Sequence, residues 1–200
     1  MKYFEYGSKE IDYLKKRDAK LAATIDKIGF VKREVYPDVF AALISSIISQ
    51  QVSIKAAVTV KSRLKQLVGE VTPERISHAA IESIQQCGMS MRKADYIKGI
   101  AQAAVTKTVD FKNLDKLSDQ EVVKELTKLK GVGEWTAEML LIHSLERPDI
   151  LSFKDLGIRR GLIRLHSLED LSREAFELYR ERYSPYNTVA SLYLWKLAEA

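Results

Sequence analysis

Leu126-Thr127-Lys128-Leu129-Lys130-Gly131-Val132-Gly133-Glu134-Trp135-Thr136-Ala137 places two glycines around one small apolar residue, between two helical patterns. The first helix carries Val122, Val123, Leu126 and Leu129 on one face, and Ser118 and Glu121 have capping-box spacing at its start. A second helix begins directly after Gly133. Glycines in such a turn permit positive φ and let another backbone come close. The amides of Gly131, Gly133 and the first turn of the following helix then point outward at the positive end of a helix dipole. That arrangement suits a phosphate, and because it uses backbone atoms it positions DNA without reading its sequence. A glycine-rich corner chosen only for close helix packing has the same local spacing, and both readings stand at this point.

Outward from the hairpin, nearly every segment has helical period. Ile11, Leu14, Leu21, Ala22, Ile25 and Ile28 fit an early helix or pair ending near Gly29. Asp38 caps a long apolar helix through Phe40, Leu43, Ile44, Ile47 and Ile48, which runs into the polar break Ser49-Gln50-Gln51-Val52-Ser53. Ile54 to Val68 is helical and stops at Gly69; Thr72-Pro73-Glu74 opens a short helix with proline at its first position. Further helices start near Ala80 and after Ser90, and the set closes with Leu156 to Leu165, Arg173 to Tyr183 and Tyr186 to Ala198. About ten helices with short loops and no convincing strand predict an all-α architecture.

Composition supports this. Of 200 residues 9 are Gly and 4 Pro, too few breakers for a sandwich of short strands. A net charge of +5 suits an acidic partner such as nucleic acid, although many basic domains never bind one. The single cysteine, Cys87, excludes an internal disulfide, a four-cysteine zinc site and an iron–sulfur cluster. His78, His143 and His166 lack metal-ligand spacing. The charged start MKYFEYGSKEIDYLKKRDAK is no signal peptide, and no stretch approaches transmembrane length. The expectation is a soluble protein without a membrane partner in a reducing intracellular compartment, bacterial or archaeal cytoplasm or a eukaryotic nucleus.

Leu129-x-Gly131-Val132-Gly133-x-x-Thr136-Ala137, followed by an aspartate, resembles the helix-hairpin-helix (HhH-GPD) DNA glycosylase superfamily. Ile47-Ile48-Ser49-Gln50-Gln51-Val52-Ser53 resembles the segment with which these enzymes probe the base stack. Cys87-Gly88-Met89-Ser90-x-x-Lys93-Ala94-x-Tyr96-Ile97 is similar to a helix start of the alkylpurine branch, typified by 3-methyladenine DNA glycosylase II. Tyr183-Ser184-Pro185-Tyr186-Asn187-Thr188-x-Ala190 looks like that branch's aromatic–proline motif. The resemblance covers nearly the whole chain from about Phe40.

It implies two helical lobes with a DNA cleft between them, residues 1–53 with 148–200 and residues 54–147. It implies base excision repair of double-stranded DNA by a monomer that flips out an alkylated purine. Asp155, twenty residues after Trp135, matches the catalytic aspartate. On its own surroundings Asp155 reads equally as a helix N-cap, and one residue can do both; Asp149 is the nearby competitor. Bifunctional members carry at the Trp135 position a lysine that attacks the sugar, and tryptophan has no amine for this. Lys128 and Lys130 do not match it, so the resemblance implies a monofunctional hydrolase without AP-lyase activity.

Trp135, Tyr186 and Met139 match base-pocket positions, where aromatic faces attract a cationic base. Asn187 stands where arginine is common. Gly131, Gly133, Thr136, Gln50 and Gln51 match DNA-contacting positions, with Gln51 at the wedge that fills the hole left by a flipped base. A solvated interhelical loop is the plain alternative for the two glutamines. Lys55, Arg92, Lys93, Arg159 and Arg160 are candidate phosphate contacts. In relatives hairpin carbonyls hold a Na+ or K+ ion, which by position means those of Thr127, Leu129 and Val132. The rivals are a glycosylase for another lesion, such as a deaminated base, and a non-catalytic module that binds damaged DNA.

Overall fold

The computed structural model describes residues 1–199. In order these form β1 (Lys2–Tyr3), α1 (Ser8–Arg17), α2 (Ala19–Ile28), β2 (Glu34–Val35), α3 (Val39–Ser49), α4 (Ile54–Val68), α5 (Pro73–His78), α6 (Ile81–Gln86) and α7 (Met91–Val105). A 3-10 turn (Leu114–Lys116) precedes α8 (Asp119–Leu126), α9 (Glu134–His143), α10 (Leu156–His166), α11 (Arg173–Tyr183) and α12 (Asn187–Glu199). The fold is all-α as expected, with one addition. β1 and β2 pair antiparallel, Lys2 opposite Val35 and Tyr3 opposite Glu34. Strands of two residues are too short to leave an alternation in the sequence.

Two compact units divide the chain: Met1–Val35 with Leu141 onward, and Tyr36–Leu140. The sequence reading grouped Tyr36–Ser53 with the termini; this division puts those residues in the unit that carries the hairpin. α3 packs on α4 and α7, elements of that unit. The boundary falls inside α9 rather than in the loop after it. Helical periodicity reports a buried face but not which neighbour buries it.

In the Tyr36–Leu140 unit, local chemistry sets the helix starts. Asp38, Ser53, Thr72 and Ser90 each accept a backbone N–H of the first turn they precede. Ser118 and Glu121 close the reciprocal box at the start of α8. Each such cap satisfies an amide the helix cannot, a contribution of about 1 kcal/mol. α3 buries Leu43, Ile44, Ile47 and Ile48 and is held on more than one side.

In the other unit the early segment resolves into a pair because Asp18 ends one helix and caps the next, accepting the N–H groups of Lys20 and Leu21. α12 is buried without interruption from Asn187 to Leu194 and contacts α1, α2, α10 and α11. It comes close to α10 at Gly161, where a Cβ would lie 2.3 Å from the Leu194 carbonyl oxygen. No larger residue fits there without moving one helix off the other.

Candidate active site

In the hairpin, the Val132 N–H donates to the Leu129 carbonyl at 3.1 Å. The first N–H to close back into α9 is that of Ala137, on the Gly133 carbonyl at 3.1 Å. Amides before it lie beyond their own helix's ladder, at its positive end. The two glycines differ, contrary to the uniform role expected of them. Gly131 has φ +87, and a Cβ there would stand 2.3 Å from the Tyr96 ring. Gly133 has no positive φ, and a Cβ would meet nothing within 4 Å. Gly131 is therefore required by the fold, while Gly133 keeps one surface of the turn low. Thr136 is buried, so its hydroxyl is not presented to a phosphate.

The probing segment turns at Gln51, which is exposed and has φ 55. Its neighbours fix the turn. Lys93 Nζ donates to the Ile48 carbonyl at 2.9 Å and to the Gln50 carbonyl, capping the C-terminal end of α3 with a cation. Burial lowers the Lys93 pKa from its ordinary value. Lys93, expected among the phosphate contacts, is thus directed into the protein. Gln50 Nε2 donates to the Gly131 carbonyl at 3.1 Å, so the probing turn is fastened to the hairpin. Of the glutamine pair, Gln51 faces solvent and Gln50 acts as a brace.

Trp135 is 40% exposed, which removes core packing as its explanation. Met139 follows four residues later on the same face of α9 and is partly buried. Trp135, Gln50, Gln51, Ser90, Lys93 and Tyr96 help line a cavity of 530 Å³, within the size range of small-molecule sites. The Arg92 Nε donates to the Tyr96 hydroxyl, and Lys55 is exposed.

In the other unit Asp155 is 7% exposed and caps α10. Its Oδ1 accepts the Ile158 N–H at 2.8 Å and the Trp195 indole N–H at 2.9 Å. Gly157 makes room for that indole: a Cβ there would lie 2.8 Å from Trp195 Cδ1. His143 lies tilted against the Trp195 ring, centroids 5.6 Å apart, and the Arg33 guanidinium stands 5.2 Å from that ring. Arg33 Nε donates to His143 Nδ1 at 3.5 Å, a long contact. Burial first, and the Arg33 charge second, push the His143 pKa down to about 4, against an upward pull from Asp155. The imidazole is accordingly neutral at pH 7.

Asp149, the competing carboxylate, is taken up by the aromatic–proline motif. It accepts Ser184 Oγ at 2.6 Å and Asn187 Nδ2 at 2.6 Å. Asn187 is 1% exposed and also donates to the Arg180 carbonyl, which makes its presence a matter of architecture. Tyr186 is partly buried, edge-on to Tyr13 with centroids 5.1 Å apart. Arg159 packs over Phe153, and Arg160 is exposed.

Sequence reading missed Trp195, Gly157, His143 and Tyr96 as supports. No local spacing links Trp195 to Asp155, forty residues earlier. Among the described residues no three His, Cys, Asp or Glu side chains cluster as metal ligands, and no helix is long and apolar enough to cross a membrane.

Residues 44–185 match the family model described as HhH-GPD superfamily base excision DNA repair protein. The chain belongs to that superfamily. It is 38% identical over 173 residues to DNA-3-methyladenine glycosylase 1 of Schizosaccharomyces pombe, covering 84% of this chain and 74% of that protein. A crystal structure of a DNA-3-methyladenine glycosidase from Bacillus halodurans superposes with a TM-score of 0.89 at 37% identity, over 99% of this chain and 93% of the other. A Schizosaccharomyces pombe 3-methyladenine DNA glycosylase in complex with abasic DNA gives a TM-score of 0.83 at 33% identity, over 96% and 98% of the two chains.

Proposed function

We propose that the protein is a monofunctional DNA glycosylase of base excision repair that hydrolyses the N-glycosidic bond of alkylated purines of the 3-methyladenine and 7-methylguanine type. The observation that carries this is the buried Asp155 carboxylate, at the motif position twenty residues beyond a tryptophan rather than a lysine. An alkylated purine is cationic, and breaking its bond to C1′ sends the electron pair into the base, which leaves neutral. The sugar becomes oxocarbenium-like. A fixed carboxylate stabilises that charge and orients the water whose oxygen bonds to C1′, while its proton passes to Asp155 or solvent. The product is an abasic site with both strands intact.

The hairpin amides hold a phosphate, Gln51 enters the stack, and Trp135, Met139 and Tyr186 contact the flipped base. The carbonyls of Thr127, Leu129 and Val132 are the groups for a monovalent cation bracing the turn. The Leu129 carbonyl already accepts the Val132 N–H, and a carbonyl has a second lone pair to offer. The names of the relatives support the alkylpurine substrate, and the net charge of +5 supports association with DNA; the reading is of an intracellular monomer. Asn187 is held by Asp149 and the Arg180 carbonyl, an architectural role that gives no support to a non-catalytic binding module.

The experiment is base release from methylated DNA by wild type and Asp155→Asn, with borohydride present to trap any Schiff base. Methylpurine release lost in the variant, with no trapped adduct, is the expected result. Absence of methylpurine release overturns the substrate assignment, and a trapped adduct overturns the monofunctional mechanism.

A further inference from the structure

We propose that Trp195 is a positioning residue for the reaction, holding the Asp155 carboxylate through its indole N–H. This rests on the reading of Asp155 as the carboxylate that faces the sugar. Asp155 Oδ1 accepts the turn-capping N–H of Ile158 at 2.8 Å. The Trp195 N–H reaches the same oxygen at 2.9 Å. The two donors on Oδ1 come from different helices, so the indole restrains the carboxylate from outside α10. Charge placed where a transition state needs it is effective only when it does not have to reorient during the reaction.

α10 and α12 are shaped to bring this about. Gly161 lets the helices close to backbone contact at Leu194, one residue before Trp195. One turn earlier on the same face, Gly157 leaves a gap that the indole fills, with its Nε1 only 3.3 Å from where a Cβ would be. Gly161, in the interior of α10, costs the helix about 1 kcal/mol relative to alanine. The Gly157 gap serves no backbone approach; its occupant is the indole on its way to Asp155. Around the ring, His143 and Arg33 restrict it further. The neutral state of His143 leaves the Asp155 charge without a cationic imidazole beside it, which supports the same arrangement.

Two substitutions test this without removing the core. Trp195→Phe keeps an aromatic ring and deletes the N–H. Gly157→Ala keeps the indole N–H and displaces the ring, while its Cβ also crowds Asp155 Oδ1 at 3.1 Å, so Trp195→Phe is the variant that isolates the N–H. With methylated duplex DNA under single-turnover conditions, each variant should lose about tenfold or more in the saturating rate of base release, from misorientation alone. Affinity for abasic-site duplex should stay within about twofold, because neither residue is placed among the DNA contacts. A variant with the wild-type rate, or one that loses affinity and rate together, overturns the proposal.

A second measurement is independent of activity. The chain has only two tryptophans, so a 15N-labelled sample gives two indole N–H resonances, which Trp135→Phe assigns. Asp155→Asn should move the Trp195 resonance upfield and leave that of Trp135 in place. No movement refutes the hydrogen bond, whatever the enzyme does. If the resonance moves but wild type releases no methylpurine, the catalytic reading of Asp155 is what fails. The bond then serves only to clamp α12 to α10, and the proposal falls with the reading it rests on.

Discussion

The ring of Tyr96 lies where a side chain on Gly131 would have to be, 2.3 Å from the position of its Cβ. Gly131 also has φ +87, so two independent constraints exclude any other residue. Gly131→Ala should therefore destabilise the protein by about 2 kcal/mol or more, combining backbone strain with the displaced ring. Gly133→Ala meets nothing within 4 Å and has no φ penalty. It should leave stability within about 0.5 kcal/mol of wild type and weaken binding to abasic-site duplex at least fivefold, by holding a phosphate off the turn. Thermal melting and fluorescence anisotropy on both variants check the contrast. Equal DNA affinity for wild type and Gly133→Ala would remove the phosphate role of the turn.

Lys93 and Gln50 join the probing turn to the rest of its unit. Lys93→Met keeps most of the side-chain volume and strands the Ile48 and Gln50 carbonyls, an expected cost of about 1–3 kcal/mol. Gln51→Ala removes an exposed side chain and should change stability by less than about 0.5 kcal/mol. In base release the order should reverse in kind. Gln51→Ala should slow release without altering the melting temperature, whereas Lys93→Met should lower both. A Gln51→Ala variant with an unchanged release rate would show that this side chain does not enter the duplex.

The helix starts at Asp38, Ser90, Ser118 and Asp155 were legible because a cap and the apolar period behind it are local. The hairpin was legible for the same reason. What sequence spacing did not carry was anything decided by one helix meeting another. α3 joins the hairpin unit through α4 and α7, and Trp195 meets Asp155 through two glycines on α10. Lys93 resembles any surface lysine until the end of α3 is placed beneath it. The family resemblance located Asp155 and Trp135; the supports of Asp155 came only with side-chain geometry.

His143 links stability to pH in a direction the geometry fixes. Burial and Arg33 hold its pKa down to about 4, below the ordinary 6.5. A base with a depressed folded pKa stabilises the fold fully above its unfolded pKa, and that contribution drains as pH falls toward the folded value. Stability should therefore decline between about pH 6.5 and pH 4, by at most about 3 kcal/mol from this group. His143→Phe keeps a ring against Trp195 and cannot be protonated. Denaturant midpoints at pH 7 and pH 4.5 should differ less in the variant than in wild type. An identical pH dependence in both would place the acid sensitivity elsewhere.

Asp18 is the second buried carboxylate in its unit, and it has a structural task only. Its side chain is 3% exposed and accepts the Tyr183 hydroxyl at 2.7 Å, with Arg182 Nη1 at 3.3 Å and His166 Nε2 at 3.2 Å beside it. Burial pushes its pKa up, but the Tyr183 hydroxyl, the Leu21 N–H, His166 and Arg182 together bring it below the ordinary carboxylate value. A carboxylate with a depressed folded pKa stabilises above its unfolded pKa and loses that contribution as pH falls through the folded one. Asp18→Asn should thus reproduce at pH 7 what acid does to wild type below about pH 4. The Tyr183 hydroxyl, on a fully buried ring, keeps at best an amide oxygen in place of an anion. The expected cost is about 2–3 kcal/mol, or roughly 5–10 °C in melting temperature for a chain of this size. Asp18 contacts Tyr183 of the aromatic–proline motif but is none of the residues placed at the base, the sugar or a phosphate, so the specific rate of base release by the folded fraction should be unchanged. A melting temperature within 2 °C of wild type, on the order of 0.5–1 kcal/mol, would mean that the amide satisfies Tyr183 as well as the carboxylate does.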